Sequence, residues 1–232
     1  AFLRGLLGRL QWDSSLQLQL KSIRLVFMPL INPIGMVLGR RCNGDGIDLM
    51  RNAPIDAEQK VATLVGGHRL SPRLPWFRGN VDAPMALENQ AVCEVVERFI
   101  CCSPFSIALD CHSGFGLRDR LWFPYAYSEQ PIPQLAEVFA LKQLLEQSYP
   151  HHRYLIEPQS LHYRTHGDVW DYLYRRQLAA GRIFLPFTLE LGSWLWIKKN
   201  PRQLLSLLGY FNPIVPHRQQ RVLRSHLSLL EF

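Results

Sequence analysis

Short apolar runs alternate along this chain with stretches in which apolar residues recur every three or four positions. The apolar runs predict buried strands at residues 22–31, 105–110, 121–125, 154–157 and 183–190. The helical spacing predicts helices over residues 1–11, 55–65, 87–100, 135–145 and 167–180, with two more that start near Pro201 and Pro213. This alternation favours an α/β fold in one domain, residues 1–232: a three-layer sandwich whose mixed, mostly parallel central sheet has helices on both faces.

Composition supports one hydrophobic core and argues against a membrane span. The chain has 232 residues, of which 47% are hydrophobic, but no uninterrupted apolar run reaches the roughly 18 residues of a transmembrane helix. Its five cysteines are odd in number and include the adjacent pair Cys101 and Cys102, which does not match a disulfide framework. We therefore expect small buried thiols in a reducing compartment, and hence a cytoplasmic protein.

The formal net charge of +7 raises the question of an anionic partner. The densest basic group, Arg218, Arg221 and Arg224 with His217 and His226, falls in the last predicted helix. A solvated helix face is the favoured interpretation of this group, and a phosphate-binding surface is the alternative. We expect no nucleic-acid partner and no membrane partner.

Polar residues follow two of the predicted strands, at the edge of a covered parallel sheet where ligands bind. The run 105–110 leads into His112, and the run 183–190 ends on Glu190. A single histidine or glutamate in such a position is commonly structural. The two together indicate a functional site.

A third polar cluster, residues 32–52, reads NPIGMVLGRRCNGDGIDLMRN. Its four glycines allow tight turns, and Arg40, Arg41 and Arg51 bring three guanidinium groups close to a predicted strand end. Guanidinium groups suit carboxylates and tetrahedral oxyanions because each can donate two parallel hydrogen bonds. A glycine-rich loop with solvated arginines is the alternative interpretation.

This cluster resembles the stretch NP.G…R.N..G.DLNRN of the M14 zinc carboxypeptidase family, and the resemblance continues in order along the chain. The next match is WFRGNVDAPMALENQ at 76–90, with Glu88 at an acidic position of the family pattern. It is followed by IALDCHSGFG at 107–116 and LWFPYAYS at 121–128. The last two matches are the segment from Tyr163 to Tyr172 and FTLELGS at 187–193. The order and chemistry of the matches, not any single one, carry the resemblance. It implies a zinc-carboxypeptidase-like fold and a hydrolase that uses Zn²⁺.

The resemblance also implies catalytic roles. His112 matches the last of three zinc ligands, and Glu190 matches the general base that takes a proton from zinc-bound water. Arg41 is the expected oxyanion-stabilising arginine, with Arg40 as its competitor.

Four further positions concern the substrate. Arg51 matches the arginine that holds a terminal carboxylate, and Tyr163 matches the tyrosine that closes over bound substrate. Trp170 falls where the family forms the floor of the side-chain pocket, with packing into the core as an equal alternative. Met50 stands where the family pattern has asparagine, and methionine cannot donate the hydrogen bond that helps to hold a carboxylate.

The family's first two zinc ligands come from a His-x-x-Glu loop, and neither HxxE nor HxxD occurs in these 232 residues. A catalytic zinc site needs three protein ligands and cannot be built from His112 alone. We expect the other two ligands upstream of Ala1, so that this catalytic domain lacks its N-terminal segment. Loss of the metal site is the alternative.

The leading hypothesis is a zinc-dependent hydrolase of peptide-like amides, with a peptide or an acyl-amino acid as its substrate. One alternative is a deacylase of N-acyl amino acids, as in the related succinylglutamate desuccinylase and aspartoacylase group. The other is a non-catalytic binding module that kept the fold after losing its metal.

Overall fold

A computed structural model describes residues 2–114, 116–205, 209 and 211–232. Within them, one sheet is formed by β1 (Phe105–Ser113), β2 (Arg120–Phe123), β3 (Leu155–Pro158) and β4 (Ile183–Leu191). The order across the sheet is β1, β4, β2, β3. β1 is parallel to β4 and β2 is parallel to β3, whereas β2 and β4 are antiparallel. The predicted mixed, mostly parallel sheet is confirmed.

The helices are α1 (Phe2–Leu10), α2 (Ser14–Gln19), α3 (Pro33–Leu38), α4 (Leu87–Val95), α5 (Leu135–Ser148), α6 (Val169–Ala179), α7 (Trp194–Lys199) and α8 (Pro216–Glu231). α4 continues as a π-helical turn, Val96–Ile100, and 3-10 turns cover Leu49–Arg51, Gln159–Leu161 and Pro201–Leu205. Asp168 caps α6, because its carboxylate accepts hydrogen bonds from the backbone N–H groups of Trp170 and Asp171. Within the described ranges, no helix has the length and apolar character needed to cross a membrane.

Helices cover both faces of the sheet. Successive residues of a strand point to opposite faces, so Leu109 and Asp110 of β1 face different layers. Leu109 lines an apolar space together with Val138 and Leu145 of α5. On the other face, Asp110 accepts a hydrogen bond from the indole of Trp170 on α6. This is the predicted three-layer sandwich.

The apolar run 22–31 does not form a strand, contrary to the prediction. It follows an irregular path, and Ile23, Leu25 and Phe27 are 51%, 43% and 41% exposed. A strand needs a neighbour for its backbone N–H and C=O groups. Within the described residues β1 pairs with β4 alone, so the run is not hydrogen-bonded to a strand.

The predicted helix at residues 55–65 is also wrong. The carbonyl of Ile55 accepts hydrogen bonds from the backbone N–H of Gly167 and from the side chain of Arg78. Such a carbonyl is not available to the N–H group four residues later, as an α-helix would require. Contacts with distant parts of the chain therefore override the helical spacing of this segment.

The predictions at the carboxyl end are correct in part. Pro201 starts a 3-10 turn instead of an α-helix, and the last helix begins at Pro216 instead of near Pro213. Residues 206–208 and 210, which the first of the two predicted helices would have included, lie outside the described residues.

All five cysteines lie within the described residues and are free thiols. Cys93 and Cys101 are buried, and desolvation raises the pKa of each thiol to about 11. Cys102 and Cys111 are exposed. The expectation of buried thiols is therefore correct for only part of the set.

Asp171 of α6 fixes the turn that follows β2. The residue is 1% exposed, and one of its oxygens accepts hydrogen bonds from the backbone N–H groups of Ala126 and Tyr127, at 2.7 and 2.9 Å. Desolvation and the charge of Asp168 raise the pKa of Asp171 well above its ordinary value. Without this carboxyl group, two buried N–H groups would lose their partner.

We expect Asp171→Ala to lower the free energy of unfolding by about 2–4 kcal/mol, because it leaves two buried N–H groups unpaired. Urea unfolding followed by circular dichroism measures the difference. Asp82→Ala, which removes a carboxylate from an exposed residue, is the matched control and should leave the unfolding midpoint unchanged. Equal midpoints for the two variants would contradict the role given to Asp171.

Candidate active site

His112 and Glu190 lie side by side at the carboxyl ends of β1 and β4. They are direct partners in the parallel register of the two strands, so their side chains point to the same face, at a strand spacing of about 4.8 Å. Arg120 of β2 is the antiparallel partner of Glu190 on its other side. Glu190 is 7% exposed, and its charge acts on His112, Arg41 and Tyr163. Four of the residues singled out from the sequence therefore form one cluster.

Asp110 orients the imidazole of His112. Asp110 Oδ2 lies 2.8 Å from His112 Nε2 and accepts a second hydrogen bond, also 2.8 Å, from Trp170 Nε1. Burial lowers the pKa of His112, but the charge and hydrogen bond of Asp110, together with Glu190, raise it to about 9. A carboxylate that holds one ring nitrogen fixes the ring orientation and makes the other nitrogen more basic.

Arg41 and Asp48 form a bidentate ion pair beside this cluster. Arg41 Nε and Nη2 lie 2.6 and 3.4 Å from the two carboxylate oxygens of Asp48. Asp48 is 2% exposed and also accepts a hydrogen bond from the backbone N–H of Met50. Desolvation lowers the pKa of Arg41, but Asp48, Tyr163 and Glu190 raise it, and the net shift is upward. Arg41 is therefore a fixed cation next to Glu190, where it can stabilise a developing anion.

Arg51 is 3% exposed and contacts Tyr163. Arg51 Nε donates to the carbonyl of Val65 at 3.1 Å, and Nη1 donates to the carbonyl of Met50 at 2.9 Å. The guanidinium carbon of Arg51 lies 6.0 Å from the centre of the Tyr163 ring, which meets the ring of Trp122 edge-on. Desolvation raises the pKa of Tyr163 against the opposing charge of Arg51. Tyr163 is therefore a neutral phenol at neutral pH.

Arg40 lies apart from the cluster, although it is adjacent to Arg41 in the sequence. Arg40 Nη2 donates to the carbonyl of Asn43 at 2.8 Å, and the guanidinium thus ties the loop after α3 together. Trp170 lies between Asp110 and Phe184, with its ring 6.5 Å from the ring of Phe184. The indole packs on β4 and also holds Asp110 in place.

Gly167 holds the segment that carries Tyr163 against Arg51. The φ angle of Gly167 is +68°, and a Cβ atom at this position would lie 1.8 Å from the carbonyl oxygen of Arg51. Only glycine fits so close an approach in the left-handed region. The carbonyl of Gly167 also accepts a hydrogen bond from the N–H of Ala53, at 3.0 Å. The four-residue spacing from Tyr163 to Gly167 therefore has a physical basis.

The predicted zinc site is incomplete in the described part of the chain. No group of three or more His, Cys, Asp or Glu side chains among those residues is placed to hold a metal ion. Asp110 is engaged with His112 and Trp170. Since a catalytic zinc takes three protein ligands, the described residues do not form such a site by themselves, and the ligand role of His112 stays a prediction.

Two members of the cluster, Asp48 and Asp110, were not predicted from the sequence. Each lies two residues before a position that was singled out, Met50 and His112 respectively. A buried carboxylate needs a cation or hydrogen-bond donors as partners. An acidic residue in an arginine-rich loop or at the end of an apolar strand is thus the signal that could have identified both.

Comparison with known proteins identifies the family of this chain. A family model described as zinc carboxypeptidase, Peptidase_M14, matches residues 1–194. No curated protein matches the chain. Among solved structures, the carboxypeptidase A from Helicoverpa armigera is 16% identical over 70% of this chain and 41% of that chain, with a TM-score of 0.47. Thrombin activatable fibrinolysis inhibitor is 19% identical over 81% of this chain and 43% of that chain, with a TM-score of 0.45.

A third similar structure is bovine thrombin-activatable fibrinolysis inhibitor in complex with tick carboxypeptidase inhibitor, which is 19% identical over 81% of this chain and 58% of that chain, with a TM-score of 0.42. The chain thus spans 41%, 43% and 58% of the three proteins. The segment matched by the family model includes the whole cluster from Arg41 to Glu190. This chain therefore belongs to the M14 zinc carboxypeptidase family.

Proposed function

We propose that this chain supplies the catalytic residues of a zinc-dependent hydrolase that cleaves peptide-like amide bonds. The observation that carries the proposal is the register pair of His112 and Glu190, with the cation of Arg41 and the phenol of Tyr163 around it. A base, a cation and a hydrogen-bond donor grouped in one cluster are what hydrolysis of an amide requires.

Glu190 is the proposed general base. Zinc would supply a Lewis acid that lowers the pKa of a bound water to about 7, and His112 would hold it as one of three ligands. A carboxylate within hydrogen-bond reach of the attacking water can accept its proton and later deliver that proton to the leaving amine. The low exposure of Glu190 keeps bulk water from competing for the proton.

Arg41 is the proposed stabiliser of the oxyanion that develops on the scissile carbonyl. Its bidentate pair with Asp48 uses Nε and Nη2 and holds the guanidinium in one orientation before the substrate arrives. Donors that are already oriented cost no reorganisation during the reaction. Arg41 Nη1, which makes no bond to Asp48, is the proposed contact to the substrate oxygen.

The proposed substrate is a peptide or an acyl-amino acid whose carboxylate is held by Arg51 and Tyr163. Arg51 uses Nε and Nη1 for backbone carbonyls and also shares a side-chain hydrogen bond with Tyr163, so the proposed clamp presents the guanidinium and the phenol together. Met50 cannot donate a further hydrogen bond to the carboxylate. This weaker clamp favours a second candidate reaction, the deacylation of N-acyl amino acids. Rates on peptides and on acyl-amino acids would distinguish the two reactions.

We propose a cytoplasmic location for the enzyme.

We expect Glu190→Gln to lower kcat by about 10²–10⁴-fold, because the amide cannot accept a proton from water, while the zinc content stays the same. Steady-state rates of the zinc-loaded full-length protein on a panel of peptides and acyl-amino acids measure the loss. Glu146→Gln makes the same change at a half-exposed surface ion pair and should retain the wild-type rate. An unaffected rate in Glu190→Gln would refute the mechanism.

We expect Arg41→Lys to reduce kcat/KM by about 10–10³-fold, because lysine cannot keep the bidentate pair with Asp48 and reach the substrate oxygen together. The neighbouring variant Arg40→Lys is the matched control, since Arg40 bonds a loop carbonyl away from the cluster. It should retain at least about half of the activity. The reverse order of losses would assign the oxyanion role to Arg40.

We expect about one zinc per chain in the full-length protein and its loss in His112→Ala, because a catalytic site depends on each of its three ligands. Elemental analysis after dialysis measures the metal. His151→Ala, which removes a histidine from an exposed position, should keep the metal. A protein that binds no zinc would instead support the non-catalytic binding module.

A further inference from the structure

A second concave region lies on the sheet face opposite the candidate active site. It is a cleft of about 1090 Å³ between residues 117–119, residues 148–154, α7 and α8. Tyr154 lines it and lies near Cys111. Cys111 is the neighbour of His112 in β1, so the two side chains point to opposite faces. The cleft, which we call the basic cleft, is therefore separate from the active-site cluster.

The basic cleft carries a strong excess of positive charge. Its lining has one carboxylate, Asp119, and six cationic side chains, namely Arg118, Arg153, Lys199, Arg218, Arg221 and Arg224. All six belong to described residues, and none forms an ion pair with an acidic side chain in the described part of the chain. A concave surface lined by charges of one sign concentrates the electrostatic potential and attracts counter-charged ligands.

Asp119 is engaged in the floor of the cleft. Its Oδ1 accepts a hydrogen bond from the N–H of Gly192 at 2.9 Å, and its Oδ2 lies 3.5 Å from His226 Nε2. His226 is 3% exposed, and its Nδ1 lies 2.7 Å from the hydroxyl of Tyr154. These contacts join α8 to the segments that precede β2 and β3 and follow β4. The floor is thus a network of polar contacts, and the carboxylate of Asp119 is engaged within it and not with the six cations.

We propose that the basic cleft binds an acidic peptide segment, rich in glutamate or aspartate. Guanidinium groups match carboxylates through two parallel hydrogen bonds. Arg218, Arg221 and Arg224 are three residues apart on α8 and extend over about 9 Å of helix. An extended peptide places alternate side chains about 6.6 Å apart. Two or three acidic residues on one side of such a peptide can therefore reach all three arginines.

The shape and the lining of the cleft favour a peptide over other polyanions. Proteins bind single-stranded nucleic acid with exposed aromatic side chains on which bases stack. In this cleft Tyr154 and Trp196 are only 9% and 8% exposed, and Tyr149 is partly buried and packs against the hydrophobic core. A flat anionic membrane would meet only the rim of a concave surface. The volume is slightly above the roughly 300–1,000 Å³ of small-molecule sites and suits a chain segment. The proposal does not depend on the proposed hydrolysis.

Fluorescence anisotropy of a labelled decaglutamate peptide, titrated with the full-length protein at low salt, tests this proposal. We expect binding that weakens as salt is added, and a Kd at least about tenfold higher for the double variant Arg221→Glu/Arg224→Glu. Arg4→Glu/Arg73→Glu makes the same change in net charge at exposed residues outside the cleft and should bind like the wild type. If the first variant misfolds, Arg221→Gln/Arg224→Gln replaces it, with Arg4→Gln/Arg73→Gln as control.

Three outcomes would overturn the proposal. The first is no binding of the peptide by the wild-type protein, and the second is an equal loss in the cleft variant and its control, which would reduce the effect to net charge. The third is tighter binding of a ten-nucleotide single strand or of phosphatidylserine vesicles than of the peptide. Glu190→Gln should bind the peptide normally, so failure of the hydrolase proposal is distinguishable from failure of this one.

Discussion

The parallel pairing of β1 with β4 is the constraint on which the candidate active site depends. Its register places His112 directly beside Glu190, and two residues earlier it places Asp110 beside Thr188. Side chains alternate between the two faces of a strand, so a slip of one residue would turn Glu190 away from His112 and towards the opposite layer. The buried residues of β4 oppose such a slip, because Phe184 and Leu189, each 1% exposed, would have to repack in the opposite layer.

Around this register pair, charges of both signs are held at fixed positions. Asp48 pairs with Arg41, and Asp110 accepts a hydrogen bond from the ring of His112, so the guanidinium and the imidazole each have a carboxylate partner. Buried charges are costly without such partners, and removing one partner is more harmful than replacing both. The supporting carboxylates therefore contribute to the stability of the candidate site and to the orientation of its side chains.

The two faces of the sheet carry different chemistry at the same end. One face presents Glu190 with a small number of paired charges, whereas the other presents the basic cleft. Six of the 26 lysine and arginine residues thus line one cleft. The order of residues in the sequence conceals this grouping, because the six cations come from four separate segments of the chain. Separate faces allow one domain to bind a partner without obstructing the site.

Local patterns in the sequence determined the elements and the positions of the candidate catalytic residues. Apolar runs predicted β1 and β4, helical spacing predicted α5 and α6, and the polar residues at the strand ends identified His112 and Glu190. Periodicity reports which positions are buried, so these features follow from neighbouring residues alone. The same reasoning was wrong for residues 22–31 and 55–65. The first segment has no strand partner among the described residues, and the second makes its backbone hydrogen bonds to distant parts of the chain.

Only the tertiary structure decided which side chains meet. It separated Arg41, paired with Asp48, from Arg40, which bonds a loop carbonyl. It also placed Asp110 between His112 and Trp170, and it gathered the cleft arginines on one face. Hydrogen bonds and ion pairs depend on distances of a few ångströms between residues far apart in the sequence. Those distances are set by strand register and helix packing, which no local pattern encodes.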